Sequence, residues 1–101
     1  MDRLKVIDIL RAHEQEFRAH GVSSLSLFGS VARGEANPGD VDIAIRVGNE
    51  FSGPGLDHIR ALDELEEKLA KMLGCSVDIV EEPARKPRFQ QEIDRDRILA
   101  F

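Results

Sequence analysis

The chain has 101 residues, 42% of them hydrophobic and 33% charged, with a formal net charge of -5. That length suits one domain with a single core and is too short for two, and the composition is globular rather than disordered. The acidic excess argues against broad, sequence-independent nucleic-acid binding, which needs basic surface.

Cys75 is the only cysteine, so no internal disulfide can form and a reducing cytoplasm fits best. Lying among Leu73, Val77 and Ile79, it reads as a packing residue. Asp2, Arg3, Lys5 and Asp8 interrupt the first residues, so no signal peptide is expected. No run approaches the ~20 apolar residues of a membrane span, and no membrane partner is expected.

Val6, Ile9, Leu10, His13 and Phe17 recur at helical spacing and predict a helix from about Asp2 to Ala19, stopped at Gly21. His13 and His20 read as surface or half-buried helix residues rather than ligands. Ser24-Leu25-Ser26-Leu27-Phe28 then alternates with period two, which predicts a first strand. The strand ends at Gly29, where Ser30 to Arg33 predict a single helical turn whose leading N–H groups suit an anion.

Asn37-Pro38-Gly39 marks a turn. A strand from Asp40 to Val47 would place Val41, Ile43, Ile45 and Val47 on one face. Asp40, Asp42, Ala44 and Arg46 would share the other, which the core is expected to leave free. Gly48 to Gly55, with Pro54, predicts a flexible connection able to act as a lid over a site.

Leu56, Ile59, Leu62, Leu65, Leu69 and Met72 predict a second long amphipathic helix ending near Gly74, with Asp63, Glu64, Glu66 and Glu67 as a solvated face. Ser76 to Val80 is a short strand with Asp78 opposite Val77 and Ile79. After Pro83 and Pro87, Phe89, Ile93 and Leu99 predict a final short helix. Helices and strands interleaved in this order imply an α/β or α+β domain around a small central sheet.

Chemistry concentrates between the first two strands. Residues i and i+2 of a strand project to the same face, so Asp40 and Asp42 would lie side by side. Two such carboxylates repel each other and lose hydration unless a cation lies between them. No GxxxxGK[ST] loop or GxGxxG is present, which excludes P-loop and dinucleotide-binding readings. One Cys and three scattered His do not make a zinc site.

Gly29-Ser30 followed by Asp40-Val41-Asp42, with a later strand acid at Asp78, resembles the minimal nucleotidyltransferase branch of the polymerase-β-like nucleotidyltransferase superfamily. The resemblance covers most of the chain and implies a single minimal nucleotidyltransferase domain over 1–101. Its fold would be a small mixed sheet of three or four strands flanked by helices. The resemblance implies transfer of a nucleotide from ATP or another NTP, with two Mg²⁺ ions, to a hydroxyl.

In that scheme Asp40 and Asp42 hold both metals, and Asp78 ligates the catalytic one and assists deprotonation of the acceptor. Gly29 and Ser30 take the phosphates, and Arg33 pairs with the triphosphate. One departure is Gly39, where the family often has Ser before the first Asp.

The family's minimal members pair with a small helical HEPN protein and act as antitoxins by placing AMP on its tyrosine. A tyrosine acceptor must come in trans, because the chain contains no Tyr. Arg85, Lys86 and Arg88 offer a contact to a partner or a phosphate. The competing reading is a binding module that neutralises its partner by occlusion, with weak or absent catalysis.

Overall fold

The N-terminal helical periodicity produces two helices, where one was expected. A computed structural model describes residues 2–101. In it, α1 (Arg3–Ala12) is capped by the Asp2 carboxylate, which accepts the Leu4 N–H at 3.0 Å. Helix α2 (Glu14–Ala19) restarts after His13, whose backbone leaves helical geometry at φ -109° and ψ 16°. The apolar spacing runs through this break unaltered, so periodicity could not reveal it. Both His13 and His20 bond a carbonyl four residues earlier in their own helix, at 2.9 Å, in keeping with their reading as helix residues.

Four strands, β1 (Val22–Phe28), β2 (Val41–Val47), β3 (Val77–Glu81) and β4 (Ile98–Leu99), lie in the order β3-β2-β1-β4 across one sheet. Strand β1 runs antiparallel to β2, and β2 runs parallel to β3. The one-turn helix α3 (Gly29–Ala32) leaves β1 directly. The parallel pair is joined through α4 (Leu56–Leu73), as a crossover requires. Helix α5 (Pro87–Asp96) leads into β4, which pairs antiparallel with β1. The mixed sheet flanked by helices is the expected fold class. Leu99, expected on the last helix, lies in the two-residue β4 and is exposed; so short a strand carries no periodic signal.

The two faces of the sheet differ. Val22, Leu25 and Leu27 of β1 with Val41, Ile43 and Ile45 of β2 form the large core against α1, α2 and α4. The opposite face holds a smaller cluster of Phe28, Ala44 and Ile93, with Val80, Ala84 and Phe89 packed on it. The acid-bearing face was expected to be free of core, but Ala44 is fully buried there because α5 covers its middle.

The segment between β2 and α4 is not a lid on the acids. Gly48 donates its N–H to the Gly21 carbonyl at 2.8 Å, and Phe51 packs on the main core. Gly21, at φ 93°, leaves no room for a Cβ, which would lie 2.5 Å from the Phe51 backbone. This joins the segment to the Val22–Val47 end of the sheet. Asp42 is at the other end of β2, roughly 16 Å away at ~3.3 Å per residue.

Candidate active site

The acids meet through strand register. Asp42 of β2 is aligned with Asp78 of β3, and Phe28 of β1 is aligned with Asp42 from the other side. Aligned residues of neighbouring strands share a face about 4.8 Å apart, so the two carboxylates are neighbours across the parallel pair. Gly29 and Ser30 begin α3 directly after Phe28, which brings the Gly-Ser turn to the same corner.

Gly29, Ser30, Arg33, Asp42 and Asp78 line one cavity of about 450 Å³. Asp40 does not line it. Strand β2 begins at Val41, and Asp40 is an exposed bend residue just ahead of it. Its place is an adjoining depression of about 370 Å³ shared with Glu66, Glu67 and Asp78. The side-by-side pair is therefore Asp42 with Asp78, across strands, and not the expected Asp40 with Asp42; Asp40 flanks it. A turn residue escapes the period-two rule because strand geometry has not yet begun.

Asp42 is half-buried, and its carboxyl is pushed above the usual carboxylate range. Burial is the largest cause, followed by the charges of Asp78 and then Asp40; Arg33 opposes them weakly. Gly29 lies against this carboxylate at φ 77°, and an added Cβ would sit 3.0 Å from Asp42 Cγ and closer to Oδ2. Only glycine combines that backbone angle with that approach.

Ser30 Oγ accepts the Gly39 N–H at 3.0 Å, which pins the loop preceding Asp40 to α3. The Ser30 hydroxyl hydrogen stays available to a ligand. A Cβ at Gly39 would meet only Ser30 Oγ, at 3.9 Å, so nothing excludes the family's more usual Ser there. Arg33 is already engaged. Its Nε bonds Glu35 at 2.7 Å and its Nη1 bonds Asp96 at 2.6 Å, and these two acids raise its pKa, Glu35 first.

Sequence reasoning missed the wall supplied by α5. Phe89, Glu92 and Asp96 line the cavity opposite the strands, with Val80 beneath. Their spacing of three and four residues was the available signal, since it puts all three on one helical face. The cavity therefore carries Asp42, Asp78, Glu92 and Asp96 against the single cation Arg33, which Asp96 already binds. Among the described residues no three carboxylate, imidazole or thiol groups converge into a closed cation cage. The arrangement is an open acidic cleft beside a hydroxyl-bearing turn.

Comparison with known proteins identifies the family. The family model described as Nucleotidyltransferase domain matches residues 6–100. The chain is 37% identical over 93 residues to the protein adenylyltransferase MntA of Thermococcus cleftensis, covering 91% of this chain and 89% of that protein. Its fold matches a toxin–antitoxin crystal structure with AMP-PNP at a TM-score of 0.66 and 23% identity, over 100% of this chain and 73% of that one. It also matches a complex of tri-AMPylated Shewanella oneidensis HEPN toxin with MNT antitoxin, at a TM-score of 0.64 and 20% identity, over 94% and 71% of the two chains. A mixed four-stranded sheet, a Gly-Ser turn facing paired strand acids and a family match along nearly its whole length lead to one conclusion: the chain belongs to the nucleotidyltransferase domain family.

Proposed function

We propose that the acid-lined cavity transfers AMP from ATP to a hydroxyl of a partner protein, a tyrosine of a HEPN-type toxin, and that the chain acts as its antitoxin. The whole of 1–101 serves as one minimal nucleotidyltransferase domain in this reading. The single observation that carries it is the register of Asp42 with Asp78 beside Gly29-Ser30 in one cavity. The names of the relatives supply adenylyl transfer and the HEPN partner.

The donor set fits magnesium. Asp96 is held by Arg33 and Arg95, while Asp42, Asp78 and Glu92 line the cavity with no ion pair of their own among the described residues. Mg²⁺ takes one or two carboxylates and completes its shell with water and substrate phosphates, so it needs no closed protein cage. Asp42 and Asp78 would hold it, with Asp40 reaching in from the flank to complete a two-ion site. Bound magnesium would neutralise the phosphates and polarise the reacting oxygens.

The chain's own groups do the rest. The acceptor hydroxyl attacks the α-phosphorus, its proton passes to Asp78 at the exposed edge, and pyrophosphate leaves as the bond to its bridging oxygen breaks. Ser30 donates its hydroxyl hydrogen to a phosphate oxygen while its lone pair keeps the Gly39 N–H. Gly29 lets the phosphates approach the backbone. Arg33 swings between its two acids and the triphosphate. A cytoplasmic setting fits the lone Cys75, and no described helix is long and apolar enough to cross a membrane.

The test is incubation with ATP labelled on the α-phosphate, Mg²⁺ and a HEPN-type protein encoded beside the chain. Label should appear on a tyrosine of that protein and vanish with Asp42→Asn. Neutralisation of the toxin by Asp42→Asn without any label would instead establish occlusion.

A further inference from the structure

The acceptor's route to the site is the subject on which the surface speaks, and the inference rests on the transfer reading. A second groove of about 640 Å³ adjoins the acid-lined cavity and shares Val80 and Phe89 with it. Ile59 and Leu62 of α4 with Pro83 and Ala84 give it an apolar floor, Arg85 and Lys86 form its rim, and the one acid in its lining, Glu81, is already engaged by His58. Ile59 is 55% exposed, and Leu56 one turn earlier is 74% exposed. Both belong to the apolar face expected of this helix, but α4 buries Leu65, Leu69 and Leu73 and carries that stripe past the sheet. Contiguous exposed apolar surface beside polar residues marks a contact site.

The charge on the rim is uncompensated. Arg85, Lys86 and Arg88 crowd the start of α5, the positive end of the helix dipole, and its first turn holds no acid. None of the three makes an ion pair among the described residues. In a chain of net charge -5, this unpaired basic cluster favours an anionic partner.

We propose that the groove docks an acidic, aliphatic-bearing segment of the acceptor protein and delivers its tyrosine hydroxyl to Asp78. Val80 and Asp78 lie two residues apart on β3 and share a face, so the shared wall leads roughly 6.6 Å along the strand to the acid. The aliphatic floor favours a polypeptide over a nucleic acid, whose bases need stacking faces; the groove's only rings are Phe89 and His58, and His58 is held by Ser52 and Glu81.

Short fluorescein-labelled tyrosine peptides of matched aliphatic content, one rich in Asp and Glu and one in Lys and Arg, test this by anisotropy without ATP or Mg²⁺. The acidic peptide should bind preferentially and weaken with added salt. The double variant Arg85→Glu/Lys86→Glu should lose about tenfold for the acidic peptide and gain for the basic one, as charge complementarity requires. Ile59→Asp should weaken the acidic peptide while the chain's sedimentation stays unchanged.

Equal binding of both peptides, no binding of either, or a charge reversal without effect would overturn the proposal. So would displacement of the acidic peptide by single-stranded RNA, or an Ile59→Asp effect confined to self-association. Incorporation of AMP into the same peptides, measured separately with ATP and Mg²⁺, reports on the transfer chemistry. Binding without incorporation leaves the groove standing, and the transfer reading is then decided by the labelled-ATP assay with the HEPN-type protein.

Discussion

Asp42 holds its proton more tightly in the folded chain than in the unfolded one, because burial and then Asp78 and Asp40 disfavour its charge. A raised folded pKa gives stability that is present at low pH and lost as pH rises through the folded value. At neutral pH the ionised group therefore strains the metal-free protein. Asp42→Asn should stabilise the metal-free protein by on the order of 0.5–2 kcal/mol and raise its melting temperature accordingly, while abolishing transfer. A lower melting temperature would show that the carboxylate is structural. Gly29→Ala should act the other way, costing about 1–3 kcal/mol through its positive φ and also displacing the Asp42 carboxylate. Circular-dichroism melts of the two variants, read side by side, check both signs.

Among elements, α5 is held by ions as much as by apolar packing. Phe89 and Ile93 dock on the sheet beside Phe28 and Ala44, and Glu82, with a fully buried side chain, anchors the helix ends. Arg97 donates to Glu82 Oε1 at 2.8 Å, to Ser26 Oγ at 2.9 Å and to Asp94 at 2.8 Å. Gln90 donates to Glu82 Oε2 at 2.6 Å and accepts the Ala84 N–H at 2.7 Å. This network fixes the wall that carries Phe89, Glu92 and Asp96.

Arg97, first, and Gln90 hold the Glu82 carboxyl below its ordinary value of 4.5 against the opposing effect of burial. A depressed pKa gives stability that is present above the unfolded value and lost as pH falls through the folded one. Arg97→Ala leaves the buried Glu82 carboxylate with only Gln90 and a longer contact to Arg46 at 3.5 Å, and should cost about 3 kcal/mol near neutrality, the low end for breaking a buried pair. The deficit should shrink in acid as Glu82 takes up a proton, and urea denaturation at the two pH values measures it. A pH-independent deficit would refute the network's role. None of this was legible beforehand: Ser26 sits at a polar position of an alternating strand, and Glu82 and Arg97 lie in segments without periodicity.

At the scale of the molecule, the sheet has one face for a large core and one for a small core with a cleft. The free edge of β3 is blunted where Glu66 accepts the Ile79 N–H at 3.3 Å. At the other edge, Arg11 holds β4 through the carbonyls of Leu99 and Ala100. The sequence was readable where one short stretch fixes geometry: the Gly-Ser turn, the strand of Asp42 and the isolated Asp78. It was silent where distant segments meet, as in the cross-strand register that pairs Asp42 with Asp78, the α5 wall and the displacement of Asp40 to the flank. Leu56 and Ile59 misled because apolar periodicity reports a face and not what covers it.

The central claim is that Asp42 and Asp78 together hold a divalent cation with the nucleotide. Electron paramagnetic resonance of Mn²⁺ titrated with ATP into the chain tests it without any acceptor. The wild-type protein should bind Mn²⁺ and ATP together, and Asp42→Asn and Asp78→Asn should each lose that binding while remaining folded. Undiminished binding in both variants would contradict the account.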